Sequence, residues 1–294
     1  MLKRKTKGDV VFGIVNGLLL TILLIIISYP LIFVLSASIS DPVEVLNGNV
    51  TLLPRGFSLA GFKRVFRDGS ILVGYKNSII YTVFGTILNV LLTATLAYPL
   101  SRKDFKGRGI ITFLLTVTMF FGGGMVPTYL VYQSLGLVHN PMALIIRGAV
   151  SVWNVIIMRT AFEGLPYSLQ EAAFIDGCSN IGVFLKIILP MSKPILAVMF
   201  LYYGVFHWND FMGALIYIND EKWYPLQLIL RNIMLQGEME SMSEGASEAI
   251  AQQQMLAESI KYAVIIVASV PLLVVYPFMQ KYFVAGRMAG SVKG

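Results

Sequence analysis

Residues 11–35 read VFGIVNGLLLTILLIIISYPLIFVL and contain no charged side chain. A helix that crosses a bilayer needs about 20 consecutive apolar residues, and this stretch is longer than that. The basic segment at residues 3–7 precedes it, which is also the charge order of a signal peptide. The apolar core of a signal peptide has only about 7–15 residues, however. The sequence therefore predicts a retained signal-anchor helix at this end of the chain.

The composition of the whole chain agrees with a membrane location. Of its 294 residues, 56% are hydrophobic and only 13% are charged. Soluble globular proteins have about 45–50% apolar and about 25% charged residues. The composition therefore excludes intrinsic disorder and argues against a water-soluble enzyme. A single cysteine, Cys178, excludes an intrachain disulfide and any cysteine-based metal centre, and two histidines far apart make a histidine metal site improbable.

Five further apolar runs are long enough to span a bilayer, and each can satisfy its backbone hydrogen bonds internally as a helix. They lie near residues 74–100, 109–132, 141–162, 184–218 and 260–284. The sequence thus predicts an all-α integral membrane protein with six transmembrane helices. We expect a membrane domain over 11–285, with short terminal segments at 1–10 and 286–294. Within that domain, 163–193 is a loop between helices 4 and 5, and 219–259 is a loop on the opposite side.

The charge distribution predicts the orientation. The chain has 23 Lys and Arg residues against 16 Asp and Glu, a net charge of +7. Most of the basic residues fall on the side that holds the N-terminus, in 3–7, 101–108, 159–193 and the C-terminal segment, whereas the opposite 219–259 segment is acidic. The positive-inside rule therefore places both termini in the cytoplasm. The basic cluster at 55–67 opposes this, but its loop is long enough to translocate. A nucleic-acid partner is then not needed to explain the net charge.

The outer segment at 59–66 carries Phe62, Val65 and Phe66 at helical spacing, which predicts a short amphipathic helix at the membrane surface. The Ser-, Glu- and Gln-rich stretch at 236–254 is predicted to be an exposed loop or a polar helix.

The loop at 163–193 is predicted to form a helix, a turn and a second helix. Pro166 favours a helix start, and Gly177 permits a turn that a residue with a Cβ atom would resist. The second helix is expected from Ser179 to Ile188, with Pro190 interrupting it. The predicted apolar face of the first helix consists of Leu165, Leu169, Ala172 and Ala173. Such a loop could be an ordinary interfacial connection, or its small residues and the Glu171 carboxylate could meet a partner protein that offers an arginine.

The motif in this loop resembles a known family. Glu171-Ala172-Ala173, Gly177, Ile187 and Leu189-Pro190 match the EAA motif of the permease subunits of binding-protein-dependent ABC importers at its full spacing. The resemblance covers nearly the whole chain. Two further segments, Trp208-Asn209-Asp210-Phe211 and the C-terminal residues 276–283, are similar to those of the carbohydrate-uptake subgroup. Within that subgroup the chain resembles the maltose-type second permease, and most of all the permeases of oligosaccharide systems. Cys178 stands where that subgroup usually has alanine, and we interpret it as a small buried residue.

The resemblance implies a mechanism and a set of partners. The loop would be a coupling helix that docks on a cytoplasmic ATPase dimer, whose closure drives alternating access in a heterodimer with a homologous second permease. An extracellular solute-binding protein would deliver the sugar. The residues implied in ATPase coupling are Glu171, Ala172, Ala173, Asp176, Gly177, Leu189 and Pro190. The chain contains no Gly-Lys dipeptide and so no Walker A loop, which means that ATP and Mg²⁺ must be bound by the partner. No cofactor, metal site or catalytic residue is expected in this chain, and lipid is its other partner.

Sites for sugars combine aromatic rings with planar polar side chains, and several such residues occur in the predicted spans. The candidates for a substrate pathway are Asn89, Tyr98, Arg147, Trp153, Asn154, Tyr203, Trp208, Asn209 and Asp210. Each has an alternative role: the aromatic residues can be interfacial anchors, the asparagines can bond neighbouring helices, and Arg147 can snorkel. Gly122–Gly124 with Pro127 is expected to break the third helix near its outer end, for gating or for packing.

Other functions are compatible with parts of the sequence. The motif loop alone would also suit an importer of a non-sugar solute. An ion-coupled secondary transporter would need titratable groups near the membrane midplane, and we identify no Asp, Glu or His pair there. A membrane-embedded enzyme would need a cluster of acids, histidines or cysteines at cytoplasmic helix ends, which the sequence lacks.

Overall fold

The computed structural model describes residues 7–67, 69–242 and 260–280, with side chains up to residue 235 in the middle range. These residues form helices, joined by turns and one isolated bridge between Ser40 and Phe57. In chain order the helices are α1 (Lys7–Ser38), α2 (Pro42–Leu46), α3 (Ala60–Arg67), α4 (Ser70–Ser101), α5 (Arg108–Phe120), α6 (Met125–Ser134), α7 (Met142–Ile146), α8 (Val152–Glu163), α9 (Tyr167–Ile175), α10 (Asn180–Met191), α11 (Lys193–Trp208), α12 (Phe211–Tyr217), α13 (Leu226–Met242) and α14 (Ile260–Gln280). A 3₁₀ turn occupies Glu221–Trp223.

The helices long and apolar enough to span a membrane are fewer than the six apolar runs. In the described residues α1, α4 and α14 qualify, and the bent pairs α5–α6 (115°) and α10–α11 (82°) raise the number to at most five. The run at 141–162 is divided into α7 and α8, neither of which is long enough to span. The predicted break at Gly122–Gly124 is present between α5 and α6. The run at 184–218 is also divided, because α10 ends before Ser192 and α11 ends at Trp208.

The chain divides into two compact units, and the first contains α1 to α3 with residues 230–270. Its packed centre consists of Ala37, Val45 and Val50, and the rings of Phe33 and Tyr262 pack against these residues. The two rings also meet each other edge to face, with their centroids 5.6 Å apart. Most of α1 is exposed along its apolar length, as expected of a helix that faces lipid or a partner. The predicted amphipathic helix at 59–66 is α3, although Phe66 on its predicted apolar face is exposed.

The second unit contains residues 70–229 and 271–294, and its core lies around α4. Its largest buried side chains include Leu100, Met158, Phe162, Ile188 and Met199, contributed by α4, α8, α10 and α11. Small residues along α4, such as Gly85, Ala94 and Ala97, let neighbouring helices approach closely. The predicted terminal segment 286–294 and residues 243–259 of the predicted 219–259 loop lie outside the described residues.

Candidate functional site

The loop at 163–193 forms the predicted helix, turn and helix. α9 begins directly after Pro166, and the turn places Gly177 at a φ of +80°. Backbone donors of the turn bond back to α9, since Cys178 N donates to Ala173 O at 2.9 Å. Ser179 then caps α10 by accepting a hydrogen bond from Gly182 N. The hydrogen bonding of α10 changes at Ile188, where a π-helical stretch over Phe184–Ile188 ends. Pro190 lies near the start of the turn Leu189–Met191 that follows, where its missing N–H is tolerated, and the sharp bend comes after it at Ser192.

The exposed surface of this loop differs from the predicted one. Gln170 and Ala173 of α9 are buried, whereas Leu169 and Ala172, which we expected on the apolar face, are exposed. The other two residues of the predicted face, Leu165 and Ala173, do pack in or against the core, together with Phe174. Among the motif residues, Glu171, Ala172, Asp176, Gly177 and Pro190 are exposed, while Leu189 packs partly against the core.

We call the exposed side of the loop the loop surface; it combines two carboxylates with apolar side chains. Glu171 and Asp176 are exposed, and no ion pair with a side chain in the described residues occupies Glu171. Beside them Ile175 is 86% exposed and Ile181 is 70% exposed. Large apolar side chains that are exposed close together are typical of an interaction surface.

The end of α4 lies against this loop. Arg102 donates to Asp104 Oδ1 at 2.8 Å and to Asn180 Oδ1 at 2.5 Å. The Asp104 hydrogen bond raises the pKa of Arg102, and Arg102 in turn lowers the pKa of the Asp104 carboxyl, so the pair stays ionised at neutral pH. Tyr98, which was a candidate for the substrate pathway, lies beside the loop at this end of α4. Its hydroxyl is 3.3 Å from Arg102 Nη1.

A second polar cluster surrounds the interruption between α7 and α8. The non-helical backbone at residues 147–151 is held by side chains of other helices. Asn89 Nδ2 donates to Gly148 O at 3.1 Å, and Ser151 N donates to the hydroxyl of Tyr203 at 3.2 Å. The Tyr203 hydroxyl also lies 2.6 Å from Thr93 Oγ1. Irregular backbone in a membrane protein is tolerated only where protein or a cavity satisfies it, and these side chains do so.

The same interruption carries an ion pair. Arg147 bonds Asp210, which also caps α12 by accepting from Gly213 N at 2.8 Å. The Asp210 side chain is only 6% exposed and that of Arg147 is 30% exposed. The guanidinium lies over the ring of Phe206 at 5.6 Å. Asp210 Oδ2 and Asn89 Oδ1 are buried and have no hydrogen-bond partner among the described residues.

The structure therefore brings together four of the candidate pathway residues: Asn89, Arg147, Tyr203 and Asp210. Other candidates lie apart from this cluster. Trp153 is 61% exposed and Asn209 is exposed, with Nδ2 donating to Val205 O of its own helix. Asn154 is buried in α8, and Trp208 is buried with its ring 6.1 Å from that of Tyr75.

His207 belongs to this cluster, and sequence reasoning missed it. It is buried, and its Nε2 lies 3.1 Å from Asn89 Nδ2. Because Asn89 Nδ2 is a donor, Nε2 accepts and the proton of a neutral ring sits on Nδ1. A polar ring inside an apolar helix is the signal that could have identified it, had it been weighed as a bonding partner rather than only as a metal ligand.

The close packing of His207 against α4 gives a stability prediction. A Cβ atom at Gly85 would lie 2.5 Å from Cε1 of His207, and the ring cannot retreat without breaking its bond to Asn89. Gly85→Ala is therefore expected to destabilise the fold by about 1–3 kcal/mol, as overpacking does. The change would appear as a lower temperature of aggregation of the purified chain in detergent. Gly204→Ala is the matched control, because its nearest neighbour would be Thr86 Oγ1 at an ordinary 3.8 Å; equal destabilisation of both variants would contradict the packing argument.

Comparison with known proteins places these features in context. The family model described as "Binding-protein-dependent transport system inner membrane component" matches residues 69–288. The polygalacturonan/rhamnogalacturonan transport system permease protein YtcP of Bacillus subtilis is 41% identical over 96% of this chain and 97% of its own length. Protein LplC of the same organism is also 41% identical, over 98% of this chain and 97% of its own. A chain in the crystal structure of a bacterial ABC transporter involved in the import of the acidic polysaccharide alginate matches with a TM-score of 0.82 and 33% identity, covering 95% of this chain and 99% of that one.

Proposed function

The chain belongs to the family of binding-protein-dependent transport system inner membrane components, and we propose that it is a permease subunit of an ATP-driven carbohydrate importer. In this role it forms half of a translocation pathway together with a homologous second permease. A separate cytoplasmic ATPase dimer supplies the energy, and an extracellular solute-binding protein supplies the substrate. The proposal includes cytoplasmic termini, which the basic residues of the 101–108 and 159–193 segments support.

Oligosaccharides are the substrate class that the relatives favour. YtcP and the alginate importer are named for polysaccharides, and a further relative, 28% identical over the whole chain, is an arabinooligosaccharides transport system permease protein of Halalkalibacterium halodurans. The cluster around residues 147–151 combines amide, hydroxyl and carboxylate side chains, which are groups that bond sugar hydroxyls.

The observation that carries the coupling part of the proposal is the loop surface. A rigid turn at Gly177 presents Glu171 and Asp176 beside exposed Ile175 and Ile181. A carboxylate on such a surface suits an arginine or lysine in the groove of an ATPase, because charge-assisted bonds are the stronger class of hydrogen bond. Apolar neighbours that leave water on docking add to the affinity.

The test is ATP-driven uptake by the assembled transporter. The chain, its second permease, the ATPase and the binding protein are co-expressed, reconstituted in vesicles, and supplied with labelled oligosaccharides with and without ATP. We expect uptake that requires ATP. Glu171→Arg is expected to lower uptake by at least roughly tenfold, since it replaces an attractive contact with repulsion, while the chain remains in the membrane.

Glu221→Arg is the matched charge reversal, because Glu221 is an exposed acid in the 3₁₀ turn and not in the loop. It is expected to leave uptake unchanged. Uptake at the wild-type rate by Glu171→Arg would contradict the coupling assignment. Uptake that proceeds without ATP but follows an ion gradient would contradict the importer assignment and favour a secondary transporter.

A further inference from the structure

One side chain, Arg102, connects the loop to α4. Its Nη1 donates to Asn180 Oδ1 at 2.5 Å, at the start of α10, and its guanidinium lies 4.9 Å from the ring centroid of Phe174 in α9. The same group lies 6.0 Å from the ring of Tyr98 in α4 and donates to the Tyr98 hydroxyl. One planar cation therefore contacts both helices of the loop and the end of α4.

The guanidinium is held in place by two further contacts. Nε and Nη2 donate to both oxygens of Asp104 at 2.8 and 2.5 Å, which orients the plane of the group in the manner of a bidentate pair. Tyr98 also stacks on Phe184 of α10, with ring centroids 5.0 Å apart and planes inclined by 25°. With Arg102, the residues Tyr98, Phe174, Asn180 and Phe184 form a group that we call the arginine joint.

An open pocket of about 580 Å³ lies next to the arginine joint. Tyr98, Arg102 and Phe184 line it together with Thr95 and Ile181, and a second cation, Lys106, also lines it.

α4 in turn reaches the polar cluster. Thr93 bonds the Tyr203 hydroxyl and Asn89 bonds Gly148 O and His207, all from the same helix that carries Tyr98. A helix transmits displacement along its axis through its hydrogen-bonded backbone. Pro99 removes one of these bonds in the last turn of α4, but Tyr98, through which the arginine joint contacts α4, comes before it. The arginine joint is thus at one end of a rigid element, and the candidate substrate cluster is bonded to the middle of it.

We propose that Arg102 is the positioning residue that transmits displacement of the 163–193 loop to α4. The proposal deepens the proposed function and rests on it. When the loop moves with the ATPase, the arginine joint moves α9, α10 and the end of α4 as one body, and the bonds of Asn89 and Thr93 at residues 147–151 are shifted with it. A lysine carries the charge but has no planar fork, so it cannot bond Asp104 and Asn180 and stack on Phe174 at the same time.

The experiment measures solute molecules imported per ATP hydrolysed by the reconstituted full transporter. Arg102→Ala is expected to lower this ratio roughly tenfold, within the range of coupling between linked sites, while the number of ATPase subunits bound per permease stays unchanged. The number of solute molecules imported per ATP by Arg102→Lys is expected to lie between the values for the wild type and Arg102→Ala. Lys103→Ala, an exposed neighbour in the same loop, is the control and is expected to match the wild type.

A ratio for Arg102→Ala within twofold of the wild type would overturn the proposal, and so would loss of the ATPase subunits, since Arg102 would then serve docking. If the wild type itself shows no ATP-dependent uptake, the proposed function has failed. If the wild type couples and Arg102→Ala does too, only the role of Arg102 has failed.

A second arm does not depend on the folding of Arg102→Ala. Tyr98→Cys and Phe184→Cys are combined in a Cys178→Ala background, and the pair is joined by a short bifunctional thiol reagent. Because the arginine joint is proposed to move as one body, cross-linking is expected to preserve or restore the transport ratio of the double variant. A cross-linked transporter that binds ATPase but no longer imports solute would show that α4 and α10 must slide past each other, and would overturn the proposal.

Discussion

Gly177→Val is expected to abolish solute uptake while the chain remains in the membrane. Gly177 has a φ of +80°, where residues with a Cβ atom are disfavoured by about 1–2 kcal/mol and β-branched ones by more. The added side chain would meet open space, so the effect comes from the backbone alone. A turn that leaves this conformation rotates Glu171 and Asp176 relative to α10, and the surface proposed for the ATPase is lost. The loss is measured as solute uptake and as ATPase binding by the reconstituted transporter.

A series at this position separates conformation from bulk. Asparagine tolerates the left-handed region, so Gly177→Asn is expected to retain most of the uptake, with Gly177→Ala between Asn and Val. Gly182→Ala is the matched control, because Gly182 lies in α10 without a positive φ and its Cβ would have an ordinary contact of 3.4 Å with Ser179 Oγ. A loss of uptake in Gly177→Asn equal to that in Gly177→Val would contradict a conformational role.

Asp210→Ala is expected to lower the free energy of unfolding by about 3 kcal/mol. Most of the chain is then expected to be lost before it folds. The substitution leaves Arg147 without its partner and removes the cap at Gly213 N. Breaking a buried pair costs about 3–5 kcal/mol, and the partial exposure of Arg147 places the effect at the low end of that range. The temperature at which the chain aggregates in detergent, and its yield in membranes, would both fall.

Two variants separate the cap from the charge. Asp210→Asn retains a good N-cap residue but removes the charge, so its loss is expected to lie between those of the wild type and Asp210→Ala. Asp220→Ala is the control, because Asp220 pairs with Lys222 on the exposed surface and such pairs contribute little. An Asp210→Ala chain as stable as the Asp220→Ala chain would show that the buried pair does not hold the 147–151 segment.

Features encoded by local signals were predictable from the sequence. Pro166 marks the start of α9 through its restricted backbone, and Gly177 marks its end because glycine can adopt a positive φ. Gly124 also has a positive φ, and α5 ends before Gly122–Gly124. The motif at Glu171 to Pro190 identified the family, and the family match confirmed it. The register of α9 was predicted less well. Of the face predicted from helical spacing, Leu165 and Ala173 reach the core, but Leu169 and Ala172 are exposed and Gln170 is buried.

The division of the fourth apolar run was not predicted. Part of its cause is local, because Gly148 has a φ of +66° and Ser151 caps α8, and part of it is not. The run at 141–162 contains Arg147 and Gly148 in its first half and Arg159 near its end, and apolar residues continue on both sides of the first pair. What stabilises the interruption is Asn89, Tyr203 and Asp210, which lie 52 to 63 residues away along the chain. Hydropathy describes each run by itself, so it cannot reveal bonds between runs. His207 was missed because it was considered only as a metal ligand and not as a hydrogen-bonding partner.

The interruption at residues 147–151 also has a consequence for biogenesis. α7 is only five residues long and cannot insert by itself, because its flanking polar groups find their partners in other helices. Asn89 is synthesised earlier, but Tyr203 and Asp210 follow 52 and 63 residues later. At a synthesis rate of about 5–20 residues per second, a gap of this length lasts roughly 3–13 s. During that interval the nascent chain holds Arg147 without its counter-ion, so this segment must wait in the insertion machinery or at the membrane surface until its last partner arrives.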